Sequence, residues 1–310
     1  MPHLGEFAAL LVALFWTITA LSFARASRII GSLQVNWLRL VFALFFLGIL
    51  LFFRTGYCYP VENSATSWLW LSLSGLIGFV IGDFCLFLSY EYVSARISML
   101  VMALAPPIAA VTGYFILGES FTGMNLVGML ITLLGIAIVV LDKPVPDENE
   151  IDKPKQFFKS VHSLRGLLLA FGGAAGQGVG LVLSKLGMQS TGGVIQYDPF
   201  ASTQIRIITG IIGFTLIIVL SGRIGNMHRA IKNRPAMGLV SLGAIFGPFL
   251  GVSLSLLAVQ HTSTGIASTI MAIVPVLIIA PSVYLFKEKV TKREILGAIL
   301  AVCGVGLFFI

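Results

Sequence analysis

The chain has 310 residues, 57% of them hydrophobic and only 11% charged, with a formal net charge of +7. A soluble domain is roughly a quarter charged, so this composition excludes a water-soluble globule and indicates a polytopic membrane protein. Apolar runs recur at about 20 residues, the length at which a helix crosses a roughly 30 Å hydrocarbon core, which excludes a barrel of ~10-residue alternating strands.

Span 1 is expected at 5–24, inside "MPHLGEFAALLVALFWTITALSFARAS". That segment ends in small residues as a signal peptide does, but it lacks a basic leading region and its apolar run is too long for one. Spans 2 to 5 follow at 32–53, 67–90, 95–117 and 122–141. Residues 142–163 then carry five acids, four lysines and three prolines, and read as a solvated linker. Spans 6 to 10 follow at 164–184, 200–220, 236–258, 264–286 and 291–310. The expected fold is an all-α membrane protein with a five-helix unit at 1–141, the linker at 142–163 and a second five-helix unit at 164–310.

The basic residues lie between spans, so they read as topology signals rather than a nucleic-acid face. Arg25 and Arg28, the linker lysines with Arg165, then Arg223, Arg229, Lys232 and Arg234, and finally Lys287, Lys289, Lys292 and Arg293 all fall on one side. The other side holds little more than Arg54 and Lys185. The positive-inside rule makes the rich side cytoplasmic and puts both termini outside.

Cys58, Cys85 and Cys303 show no paired spacing, and the four histidines fall in loops or at the terminus. No metal site, disulfide or cofactor is expected from them. No phosphate-binding G-x-x-x-x-G-K-[ST] loop occurs, so ATP hydrolysis by this chain is excluded.

"MALAPPIAAVTGYFILGESFTGMNLVGMLITLLG", from Met102 to Gly135, repeats without gaps 169 residues later, from Met271 to Gly304. Met102, Ala103 and Pro106 align with Met271, Ala272 and Pro275. Glu119, Thr122, Gly128 and Gly135 align with Glu288, Thr291, Gly297 and Gly304. Gly78 and Gly82 meet Gly247 and Gly251 in the same register, and Arg39 meets Arg206 two residues off it. The chain reads as a duplicated five-helix unit, and an odd number of spans makes the two copies cross the membrane in opposite senses. Inverted repeats of this kind are typical of secondary transporters, whose site lies at the repeat interface near the midplane.

These two stretches resemble the paired EamA repeats of the drug/metabolite transporter superfamily, and the resemblance covers nearly the whole chain. The shared signature is a proline in span 4, a Gly-Glu pair at the turn to span 5 and spaced glycines in span 5. The second copy departs from it with Lys287 where the first has Gly118. The resemblance implies a carrier that exports or exchanges small metabolites, amino acids or drugs from the bacterial inner membrane.

Pro106 and Pro275 remove helix N–H groups, and freed carbonyls are tolerated in a bilayer only beside protein or water. Spans 4 and 9 are therefore expected to bend toward a shared wet cavity, bringing Met102 and Met271 with them. Arg39 and Asp83 sit at similar depth and are expected to pair. Val252 stands at the position equivalent to Asp83, which leaves Arg206 without an obvious partner in its own half, so it either meets a substrate anion or pairs across the halves with Glu119. A charge at mid-helix costs about 2.5–3.5 kcal/mol, which makes these residues functional candidates. Asp83 is the deepest carboxylate and the candidate for proton coupling. Gln177 joins the cavity set, as do Asn36, Gln204 and Trp16 if their helices are suitably rotated. Glu119 and Glu288 are expected to cap the following helix or to form a gate salt bridge.

The resulting expectation is a carrier for a small-molecule solute within the lipid bilayer. A flippase for lipid-linked cargo, a channel and an intramembrane enzyme are the alternatives. The enzyme needs clustered nucleophile, base or metal ligands that the spans lack. Monomer and homodimer are both left open.

Overall fold

The computed structural model describes residues 3–60, 64–89, 92, 101–141, 164–189, 197–277, 279, 281 and 291–309. Helix dominates throughout. Among the described residues six helices are long and apolar enough to cross a membrane: Leu4–Ser27, Ser32–Thr55, Ala65–Leu86, Leu164–Met188, Pro199–Leu220 and Arg234–His261. Three shorter apolar helices join them, Ala105–Leu117, Gly123–Ile138 and Ile295–Gly306.

In chain order, α1 (Leu4–Ile30) meets α2 (Ser32–Thr55) across the single residue Gly31, whose φ of 91° suits glycine. Expected span 3 becomes α3 (Ala65–Gly75), a π-helical segment (Leu76–Gly82) and α4 (Asp83–Ser89). Next come α5 (Ala105–Leu117), α6 (Gly123–Leu141), α7 (Leu164–Met188) and α8 (Pro199–Leu220). The basic stretch between expected spans 7 and 8 contains a short helix, α9 (Ile224–Ile231). Its Ala230 and Met227 pack on Phe23, Val35 and Leu38, which supplies the apolar support that the helix needs. Expected span 8 becomes α10 (Arg234–Ala244), a second π segment (Ile245–Phe249) holding Pro248, and α11 (Leu250–His261). The last elements are α12 (Thr264–Met271), α13 (Val274–Leu277) and α14 (Lys292–Gly306). The linker 142–163, Lys287 and Glu288 lie outside the described residues.

Helix starts follow the polar turn residues. Ser64, Asp198, Asn233 and Ser263 each accept a hydrogen bond from a backbone N–H of the first turn of α3, α8, α10 and α12. Small residues decide how the helices meet. A Cβ on Gly176 of α7 would lie 2.6 Å from Gly82 Cα, and one on Gly180 would lie 3.1 Å from Gly78 Cα. Gly247 of the second π segment and Gly251 of α11 face Thr19 and Trp16 of α1. Thus α7 packs antiparallel on the α3–α4 rod, and α1 packs antiparallel on the α10–α11 rod. Helices α6 and α14 form a third such pair, with Gly128 against Gly304 and Gly135 against Gly297. Three phenylalanines of α2 point away from all of this: Phe45, Phe52 and Phe53 are exposed, as a lipid-facing surface requires, while Phe42 and Phe46 pack inward.

Candidate functional site: a charged cavity between the helix rods

A proline near a helix start costs little, because the first N–H groups have no intrahelical partner. Pro106 occupies such a position in α5. The preceding helix ends in a turn at Ala103 and Leu104, where Leu104 N–H donates to the Val101 carbonyl at 3.0 Å. In the second half the turn falls on Ala272 and Ile273, again 169 residues later, with Pro275 at the matching place in α13. The bends expected in spans 4 and 9 are therefore outright breaks, each restarting a helix at its proline.

Both breaks border one cavity of about 300 Å³. Met102, Pro106 and Met271 line it, together with Arg39, Asp83, Gln177 and Arg206. Trp16, Phe79, Leu86, Leu181 and Val252 give most of its wall an apolar surface. Asn36 and Gln204 do not reach it. Gln204 donates to the Cys58 carbonyl at 2.8 Å, and Asn36 donates to the Ser32 carbonyl at 3.2 Å and borders a smaller hollow beside Arg223.

Arg39 and Asp83 form an ion pair across α2 and α4. Gln177 of α7 donates to the other carboxylate oxygen at 2.8 Å. Arg206 is only 4% exposed. Its guanidinium lies over the Phe79 ring at 4.8 Å from the centroid, and its buried Nε has no hydrogen-bond partner. No salt bridge forms to it among the described residues. Among the described residues the cavity thus holds two cations and one carboxylate.

The alternative of an Arg206–Glu119 pair is overturned, because Glu119 is fully engaged elsewhere. Its carboxylate accepts from Lys185 Nζ at 2.7 Å, from Thr264 N–H at 2.9 Å and from Thr264 Oγ1 at 2.6 Å. Glu119 does cap a helix, yet that helix is α12 rather than the following α6. The reason is spatial: the turn after α5 lies against the start of α12, while Thr122 Oγ1 serves α6 by accepting from Asn125 N–H. Lys185 also donates to the Thr262 carbonyl at 2.8 Å, and Thr262 Oγ1 donates to Glu6 at 2.8 Å. This cluster ties together α1, α5, α7 and α12 at one end of the molecule. Leu181 and Ser268 of the cavity wall each lie one helical turn inward from Lys185 and Thr264, so the cluster sits beside that end of the cavity.

Lys185 had a legible signal, as a lone lysine at the end of an apolar run on the side poor in basic residues. Ser268 and Pro248 also line the cavity and carried no such mark.

A family model described as the EamA-like transporter family matches residues 3–141 and 164–310. A protein of Clostridium kluyveri described as an uncharacterized transporter is 22% identical over 238 residues, which is 76% of this chain and 70% of that protein. A solved crystal structure, described only as that of a protein, superposes with a TM-score of 0.70 at 15% identity. It covers 99% of this chain and 97% of its own, a likeness of fold alone.

Proposed function

We propose, for a chain that belongs to the EamA-like transporter family and is therefore a membrane transporter, a secondary carrier that moves a small solute by alternating access. In this reading ten spans form two inverted five-helix repeats, 1–141 and 164–310, joined by the linker 142–163. Three antiparallel contacts support the inversion. Span 1 of each half packs on span 3 of the other, and spans 5 and 10, equivalent in sequence, run in opposite directions against each other. The two π segments begin at Leu76 and Ile245, again 169 residues apart.

One observation carries the reading above the others: matched breaks in spans 4 and 9 border a single cavity that contains buried charge. Transporters expose unwound backbone only where it lines such a chamber. With both termini outside the inner membrane, the Glu119–Lys185–Thr264 cluster lies on the outer side. It then serves as the closed outer gate of a carrier whose chamber communicates with the cytoplasm, the state from which an exporter or exchanger loads. Asp83 is the coupling residue in this scheme, and the solute's own gradient or a proton gradient supplies the energy.

The test is counterflow in proteoliposomes with the full chain. Saturable exchange that responds to an imposed pH gradient in the wild type and loses that response in Asp83→Asn supports the scheme. An unchanged response removes Asp83 from coupling, and flux that does not saturate replaces the carrier with a channel. Orientation has its own check, since Cys58 is exposed in the turn after α2. A membrane-impermeant maleimide added to intact cells labels Cys58 if the termini lie outside, and protection of Cys58 until the cells are opened reverses the topology.

A further inference from the structure

We propose that the cavity takes a small monoanion with a carboxylate head and an apolar body, and that Arg206 is its counter-ion. The inference rests on the carrier reading and adds the class of solute to it. Burying a cation without a partner is costly, and proteins pair such charges or leave them for a ligand. Asp83 is committed twice over, to Arg39 and to Gln177. Arg206, 96% buried, faces the same cavity with no hydrogen bond or ion pair among the described residues. One uncompensated positive charge therefore waits in the chamber.

The rest of the wall decides what accompanies the anion. The hydroxyls that line it donate to their own helices or to a neighbour: Ser255 to the Val252 carbonyl, Ser268 to the Gly265 carbonyl and Thr19 to the Gly243 carbonyl. A phosphate monoester brings nearly two charges and three acceptor oxygens, for which the described residues of this wall offer Arg206 as the cation without an ion pair and hydroxyls that already donate elsewhere. A carboxylate needs only the planar fork of one guanidinium. Trp16, Phe79, Leu86, Met102 and Met271 surround the remaining volume with apolar surface. The volume, about 300 Å³, lies at the small end of ligand sites, which suits a single ring or short chain rather than a nucleotide.

The experiment compares three probes of nearly equal shape on the purified full chain: phenylacetate, phenylacetamide and phenethylamine. Binding is read by isothermal titration calorimetry in detergent, with size-exclusion profiles as the folding control. The expected result is saturable binding of phenylacetate, at least about tenfold tighter than either other probe. Arg206→Lys retains that preference and Arg206→Gln abolishes it. Equal binding of the anion and its amide in the wild type overturns the proposal even if neither variant folds. An anion preference that survives in Arg206→Gln, or no binding by any probe, overturns it as well. Counterflow separates this proposal from the one beneath it. Phenylacetate that binds through Arg206 without being moved sustains the charge assignment and ends the carrier reading. Exchange of all three probes at equal rates does the reverse.

Discussion

Two polar clusters lie one above the other in this molecule, and they are built on opposite plans. At the end cluster, Glu119 and Lys185 meet with side chains only 8% and 15% exposed, and every acceptor position on the carboxylate is taken by Lys185 or Thr264. In the cavity cluster, Asp83 is equally well served, while Arg206 has only an aromatic face beneath it. A satisfied buried network holds helices in one arrangement, whereas a deficient one invites the missing partner. Under the proposed carrier reading, the first plan suits a latch and the second suits a binding chamber.

The sharpest way to break this contrast is Lys185→Met. It leaves the Glu119 carboxylate buried without its cation, which costs about 3–5 kcal/mol. We expect a marked loss of stability in detergent, read by SDS-titrated unfolding. A variant as stable as the wild type would mean that the end cluster does not hold the helices together. Next in size is Gln177→Leu, which removes a bond to an ionised acceptor, worth about 1.5–3 kcal/mol. If the cavity cluster is tuned for binding, this change weakens phenylacetate binding as well as stability, through the freed Asp83. A purely structural role lowers stability alone. The smallest effect is expected from Ser74→Ala, outside both clusters, where the hydroxyl donates to the Gly180 carbonyl at 2.6 Å between α3 and α7. Its loss costs about 1 kcal/mol and leaves binding unchanged. A larger loss than that of Lys185→Met would place the main stabilisation in helix packing rather than in the end cluster.

Much of this architecture was legible before any coordinates. Hydropathy located the six described helices that are long and apolar enough to cross a membrane, and the 169-residue register pointed to the two interrupted segments, though as bends rather than breaks. The glycines marked their contacts too, because a position that must admit another backbone cannot carry a side chain. Other features were silent for identifiable reasons. The π segments were hidden because one extra residue in a helical turn leaves no mark on composition. The helix α9 was hidden because its apolar face is too short to stand out among arginines. Of the two expectations for Glu119, the ion pair is present with Lys185, while the cap falls on another helix because capping rules are written for neighbours in sequence and Thr264 is 145 residues away.

The amino-acid order by itself determined the class of protein, the positions of the helices long enough to span and which residues carry charge into apolar segments. These follow from water's rejection of apolar surface and from backbone groups that lipid forces to bond within a helix. Only the tertiary structure decided which charges neutralise one another. Helix rotation and depth set those distances, and a shift of one residue turns a side chain by about 100°, so Asp83 met Arg39, Lys185 took Glu119, and Arg206 was left facing the cavity.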